Sequence, residues 1–222
     1  MSTHRDTHPI NSILLPAMML LSALVPVAVH AAEINYQAEP AELVRQVSEE
    51  LFERINNNRQ IYQQDQQQLQ QVIRDVFLPL LNERFSARLI LGKHSRGLSA
   101  SQINDFADAL MNRLLSTYAE GLLEFKSRDQ VQVLPLRGDN NERMTRVQTR
   151  ITLDNGSKAP VDYVLRKFDD RWQAFDVIIE GISYVATYRN QFNEEISANG
   201  FDQVLQRLQK GELALEKVDD KD

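Results

Sequence analysis

The sequence predicts an α+β protein, in which helices come first and an antiparallel sheet followed by further helices comes second. Up to about residue 125, apolar side chains recur every three or four positions, as in amphipathic helices. From Val131 onward, apolar and polar side chains alternate instead, as in half-buried strands. Asp154-Asn155-Gly156 separates two such runs and is a strong hairpin-turn sequence.

Residues 1–31 are predicted to be a cleaved signal peptide. The apolar run 13–29 follows a polar segment and ends in an A-x-A-like cleavage site. A membrane anchor is the alternative, but Pro16 and Pro26 interrupt the run and favour cleavage. Residues 32–222 contain no internal repeat and no linker rich in Pro, Gly or Ser, which predicts a single exported domain.

The first half of this domain has recognisable helix boundaries. Pro40 opens the first helix, which is expected to close at Asn56–Asn58. A glutamine-rich segment then continues into an apolar stripe from Leu69 to Leu80, which predicts a second helix that Pro79 breaks or kinks. A third and longest helix is expected to run from a capping box at Ser99 and Gln102 to about residue 125.

The second half predicts a meander of strands between turns. The strands are expected at 131–133, 144–153, 161–168 and 171–179. Gly181 permits a change of direction into a helix that carries an apolar stripe from Ile182 to Ile196. A last helix is predicted over 201–208, followed by an acidic tail.

Charge and composition limit the function. The 222 residues carry a formal net charge of −6, which argues against a nucleic-acid binder acting through a basic surface. There is no cysteine, so disulfides and a lipoprotein anchor are excluded, and the only histidine after residue 31 is His94, expected in a surface loop. No cluster of metal ligands and no nucleophile elbow is apparent.

Two separated groups of residues resemble one protein family. Phe175-Asp176-Val177 with Glu180-Gly181-Ile182-Ser183 is similar to the "YDV-x-x-EGVS" motif of the MlaC family of periplasmic phospholipid carriers. A second group resembles the same family and consists of Leu78-Pro79, Leu91-Gly92, Ser99, Gln102, Phe106 and Tyr118. One departure is Lys93-His94-Ser95, where the family commonly has aromatic residues.

The resemblance implies a fold and a function. It implies an NTF2-like fold, with helices packed on a curved antiparallel sheet that encloses an apolar lipid cavity. It implies a periplasmic protein that needs no cofactor and carries a diacyl phospholipid as cargo between the outer and inner membranes, which maintains outer-membrane lipid asymmetry. The implied partners are an outer-membrane lipoprotein–porin complex and an inner-membrane ABC transporter with an MCE-domain subunit.

Apolar side chains from the long helix, the sheet and the glycine corner are the expected lining of this cavity. They are Phe106, Leu110, Leu114, Tyr118, Val147, Ile151, Tyr163, Leu165, Phe175, Val177, Ile179, Ile182 and Val185.

Two other functions remain open at this point. A cone-shaped α+β fold can hold a single buried carboxylate for acid–base chemistry, here Asp176, with Tyr163 or Tyr118 as a hydrogen-bond donor. A strand Asp between apolar neighbours, however, points away from them, commonly towards solvent, a backbone N–H or an Arg. The other alternative is a periplasmic adaptor or chaperone whose apolar groove binds protein segments.

Overall fold

Helices and one antiparallel sheet make up the computed structural model, which describes residues 34–124, 130–138, 140–152 and 156–216. The helices are α1 (Pro40–Asn57), α2 (Arg59–Gln64), α3 (Gln66–Val76), α4 (Glu83–Leu91), α5 (Ala100–Tyr118), α6 (Tyr184–Asn199) and α7 (Phe201–Gln209). The strands are β1 (Val131–Val133), β2 (Thr145–Thr152), β3 (Lys158–Phe168), β4 (Arg171–Ile179) and β5 (Ile182–Ser183). The predicted signal peptide, residues Asp154 and Asn155 of the predicted turn and the end of the tail lie outside the described residues.

The helices of the first half follow the predicted boundaries except for the division of the glutamine-rich segment, an additional helix α4, and the end of the longest helix. The glutamine-rich segment is divided between α2 and α3, because the Asp65 side chain accepts hydrogen bonds from the backbone N–H groups of Gln67 and Gln68 and thereby caps α3. Pro79 lies in a 3₁₀ turn directly after α3, as its missing N–H predicts. Residues 83–91, which were not assigned to an element from the sequence, form α4, whose first turn is capped by Asn82.

The end of the longest helix was predicted wrongly. The capping box at Ser99 and Gln102 is present and opens α5. The α-helix stops at Tyr118 and tightens into a 3₁₀ turn, Ala119–Glu124. Because the apolar spacing continues through this turn, periodicity alone could not separate the two helix types.

The sheet is a five-stranded antiparallel meander in the order β1-β2-β3-β4-β5. Two-residue turns join β3 to β4 through Asp169-Asp170 and β4 to β5 through Glu180-Gly181. All four turn residues have positive φ, as tight hairpins of the type I′ class require. The predicted glycine corner is therefore a hairpin that adds a short fifth strand before α6 begins.

A β-bulge interrupts β4. Val164 pairs with Asp176 and the next residue, Leu165, pairs with Ala174, so Phe175 is an extra residue on β4. A bulge bends its strand and increases the local twist, which accounts for curvature at this point of the sheet. The predicted α+β class, with helices packed on a curved antiparallel sheet, is confirmed.

The buried apolar residues form two clusters. The first lies between the sheet and helices α1 and α3, together with the end of α5, and we call it the sheet cluster. The second lies among α4, α5, α6 and α7, and we call it the helix cluster. The two clusters share no residue, so the apolar surface predicted as one interior is divided in two.

Candidate functional site

The inner face of the sheet is the surface that contacts α1 and α3. Six of the predicted lining residues lie on it, from the three longest strands: Val147, Ile151, Tyr163, Leu165, Val177 and Ile179. Thr149 is also on this face, but its hydroxyl donates to the backbone O of Val161. Because this polar group is satisfied within the sheet, the face remains apolar.

Coverage of the inner face is incomplete. Val147 and Leu165 are fully buried, whereas Ile151, Val177 and Ile179 are only half-buried. Pairing places Val133, Thr149, Val161, Ile179 and Ile182 in one row across the sheet, in which the half-buried Val133 and Ile179 lie on either side of the buried Thr149 and Val161. Large side chains left partly open on a concave apolar surface indicate a site for an apolar ligand.

Further apolar residues surround the same surface, and the sequence did not identify them as lining. They are half-buried and pack against the sheet cluster: Phe77, Met111, Leu122, Leu123, Val133 and Trp172. Leu122 and Leu123 lie in the 3₁₀ turn after α5, where a carbonyl of Leu123 accepts a hydrogen bond from Arg59 of α2. The apolar spacing that continues beyond Tyr118 is the sequence feature from which Leu122 and Leu123 could have been predicted as lining residues.

Tyr163 brings a phenol to the inner face. Desolvation by burial raises the pKa of its phenol to about 12. Its ring packs edge-to-face on Phe77 with centroids 6.3 Å apart. The phenol therefore stays neutral at physiological pH and adds an uncharged, largely aromatic surface.

The helix cluster contains five of the other predicted lining residues. Phe106, Leu110 and Val185 are buried in it, and Leu114 and Ile182 pack on it half-buried. The structure does not bring Phe106, Leu110, Leu114 or Val185 onto the inner face of the sheet. Ile182 pairs directly with Ile179 across β4 and β5, so it continues the row of that face at the edge of the sheet while it packs on the helix cluster.

Tyr118 and Phe175 belong to neither cluster. Tyr118 packs edge-to-face on Tyr184, with ring centroids 6.2 Å apart. Phe175, the extra residue of the bulge, packs on Phe85 of α4 at 5.4 Å. The alternation that predicted Phe175 beside Val177 on one face fails because the bulge resets it.

Asp176 binds the start of α6. One carboxylate oxygen accepts from the hydroxyl of Ser183 at 2.6 Å, and the other accepts from the backbone N–H of Val185 at 3.0 Å. Ser183 in turn caps α6 by accepting from Ala186 N. Desolvation by burial raises the pKa of Asp176, and these hydrogen bonds oppose that shift. The arrangement is that of a helix N-terminal cap rather than of a carboxylate directed into the apolar interior.

Replacing Asp176 tests this interpretation. Asp176→Asn is expected to cost on the order of 1–3 kcal/mol, because the amide cannot accept both hydrogen bonds. A raised folded-state pKa contributes stability that is present below the unfolded pKa and lost as pH rises through the folded pKa. The cost should therefore be larger at about pH 3 than at about pH 7, as measured by urea unfolding at both values. Equal costs at the two values would contradict it.

A groove of about 360 Å³ lies away from the inner face, between α5 and α7. Its lining is polar, with Asp105, Asp108, Arg113 and Lys210, and includes none of the predicted lining residues. Within the described ranges, no three His, Cys, Asp or Glu side chains are grouped so that they could hold a metal ion. In the same ranges, no helix is long and apolar enough to cross a membrane.

Residues 45–210 match the protein family described as MlaC protein. The chain is 26% identical to the toluene tolerance protein ttg2D of Pseudomonas putida over 192 residues, 86% of each chain. It is 22% identical to the intermembrane phospholipid transport system binding protein MlaC of Haemophilus influenzae, over 78% of this chain and 82% of that one.

A solved structure has the same fold. It is a phospholipid-binding protein from Ralstonia solanacearum in complex with a phospholipid. It superposes with a TM-score of 0.71 at 22% identity, covering 78% of this chain and 97% of the other.

Proposed function

The chain belongs to the MlaC family, and from this premise we propose that it is a periplasmic carrier that holds one diacyl phospholipid by its acyl chains. The observation that supports this most directly is the incompletely covered inner face of the sheet, where Ile151, Val177 and Ile179 stay half-buried in an otherwise apolar surrounding. The protein of Ralstonia solanacearum, which shares the fold, binds a phospholipid.

The proposed acyl-chain site is the inner face of the sheet, bounded by α1, α3 and the 3₁₀ turn after α5. The six predicted residues on that face, together with Trp172, Leu122 and Leu123, form its lining. The residues of the helix cluster are proposed as packing residues that support α5 and α6. This division follows the two clusters.

The physical need for such a carrier follows from the acyl chains. Each methylene removed from water contributes ~0.8 kcal/mol, so roughly thirty of them amount to ~24 kcal/mol. A lipid cannot cross an aqueous gap quickly against a cost of that size, and a carrier must enclose the chains. Because all diacyl phospholipids share these chains, we expect little preference among head groups.

The carrier is proposed to work between the two membranes of the cell envelope. Residues 1–31 are the proposed signal peptide, and the donor and acceptor are the lipoprotein–porin complex of the outer membrane and the ABC transporter of the inner membrane with its MCE-domain subunit. Phospholipid is the cargo, no cofactor is needed, and no catalysis is part of the proposal. Asp176 is consistent with a carrier that performs no catalysis, because both of its carboxylate oxygens accept hydrogen bonds at the start of α6.

Lipid content is the direct test. Protein purified from the periplasm without detergent is expected to carry about one diacyl phospholipid per chain with mixed head groups, because the site recognises chains. Native mass spectrometry gives the stoichiometry, and thin-layer chromatography of an organic extract gives the head groups. A lipid-free periplasmic protein of similar size, taken through the same purification, controls for adventitious lipid. Lipid-free preparations of this chain would instead favour an adaptor that binds protein segments.

A further inference from the structure

The outer face of the sheet, opposite the proposed lipid site, carries a charged group that the carrier function does not use. Arg146 and Arg150 of β2 flank Gln148, and Gln148 pairs across the strands with Asp162 of β3. Two nitrogens of Arg146 contact the same oxygen of Asp162, Nε at 2.8 Å and Nη2 at 2.7 Å. Half of the Arg146 side chain, 48%, stays exposed to solvent.

Asp162 is buried, with only 6% of its side chain exposed. Its second oxygen lies 3.5 Å from Arg150 Nη1 but accepts no hydrogen bond within the part of the chain that the structure describes. A buried carboxylate is costly, and its effect here is to fix the orientation of the Arg146 guanidinium. One carboxylate cannot neutralise two arginines, so Arg146 and Arg150 together retain a net positive charge on the outer face of the sheet.

Exposed apolar side chains occur in the loop that leads into β2. Among the described residues, three large apolar side chains are exposed to solvent. Two of them, Leu136 at 41% and Met144 at 56%, lie in the loop between β1 and β2. The loop follows the edge of β2, because Leu134 N–H donates to Gln148 O and Arg146 N–H donates to Asn140 Oδ1. Arginine and methionine around an apolar centre are the composition enriched in protein interfaces.

The charge of this region differs in sign from that of the chain. Residues 131–168 contain seven Lys and Arg against four Asp and Glu, a net charge of +3, whereas the whole chain carries −6. Of these seven cations, Arg146 and Arg150 lie on the outer face of the sheet and share the single carboxylate of Asp162. Such a patch on an acidic protein selects an anionic partner by charge complementarity.

We propose that this outer face, made of Arg146, Gln148 and Arg150 with Leu136 and Met144, docks an acidic segment of a partner protein. A protein partner fits better than a membrane surface, because membrane-surface binding is typical of basic amphipathic helices and polybasic segments. Here guanidinium groups are held in fixed orientations on a sheet, which suits the bidentate recognition of carboxylates. The inference rests on the proposed carrier function only for the choice of partners in the test.

The test measures binding to the two proposed partners, each purified from the organism that encodes this chain: the lipoprotein–porin complex and the ABC transporter with its MCE-domain subunit. Met144→Asp adds a negative charge at an exposed position and removes the apolar contact. The matched control is Ile61→Asp, which changes an exposed apolar residue of α2 in the same way. Biolayer interferometry should show binding to at least one complex weakened about tenfold or more by Met144→Asp and unchanged by Ile61→Asp.

A second variant tests the same docking surface at another residue, so that the result does not depend on Met144 alone. Arg146→Gln should weaken the same binding, and the wild-type affinity should fall as salt is raised. Extracted lipid, measured on the same preparations, should stay at the wild-type level, which separates failure of docking from failure of the carrier function. Three results would overturn the proposal: no wild-type binding to either complex, equal weakening by Ile61→Asp, or loss of binding to anionic phosphatidylglycerol vesicles in parallel with the loss at the complexes.

Discussion

Leu110→Glu is expected to unfold the domain. Leu110 is 4% exposed and lies in the helix cluster, where α5 packs against α4, α6 and α7. A carboxylate there lies among buried apolar side chains, so the folded state must bury a charge. We expect a loss of more than ~4 kcal/mol, enough to remove most of the stability of a domain of this size. Thermal melts followed by circular dichroism would measure it.

The matched control for this variant is Thr117→Glu, on the exposed side of the same helix. It adds the same charge to α5 and should change stability by less than about 0.5 kcal/mol. The informative contrary result is a Leu110→Glu protein that folds normally and has lost its lipid. That result would extend the acyl-chain site into the helix cluster and restore the single interior predicted from the sequence.

The sheet was the most predictable part of the fold. Alternation of apolar and polar residues predicted β1 with the bounds that the structure has, and β2 and β3 to within a few residues. The aromatic and β-branched residues of 171–179 predicted β4 with its observed bounds. Strand alternation is strictly local, because successive side chains point to opposite faces. The capping box at Ser99 was equally local and equally reliable. The end of α5 was not, because a 3₁₀ turn preserves nearly the same apolar spacing.

The site was less predictable than the fold, since apolar periodicity does not identify the partner of each apolar face. Phe106 and Leu110 on α5 satisfy the same pattern whether they face a cavity or another helix, and in the structure they face α4, α6 and α7. Phe175 failed for a different reason. A bulge inserts one residue without altering the pattern of residue types around it, and only the pairing of Val164 with Asp176 reveals it.

Ile179→Glu is expected to leave the domain folded and to remove the bound lipid. Ile179 is half-buried on the inner face, next to the short edge strand β5. When the site is empty, water can reach the carboxylate, so the cost to folding is small. When acyl chains occupy the site, the same carboxylate is desolvated without a partner, and bound lipid becomes strongly unfavourable. Extractable phospholipid should fall from about one per chain to less than about a tenth of that, while the circular dichroism melt changes by only a few degrees.

Two control variants separate the effect of changing residue 179 from the effect of adding a negative charge. Ile179→Leu keeps an apolar side chain of the same size and should retain lipid, since volume-conserving substitutions disturb packing little. Ile61→Glu adds the same charge at a side chain that is 47% exposed and should also retain lipid. Leu110→Glu and Ile179→Glu therefore have opposite expected outcomes. A charge in the helix cluster should unfold the protein, whereas a charge on the inner face of the sheet should leave it folded and lipid-free. An Ile179→Glu protein that still carries stoichiometric phospholipid would exclude this residue from the acyl-chain site.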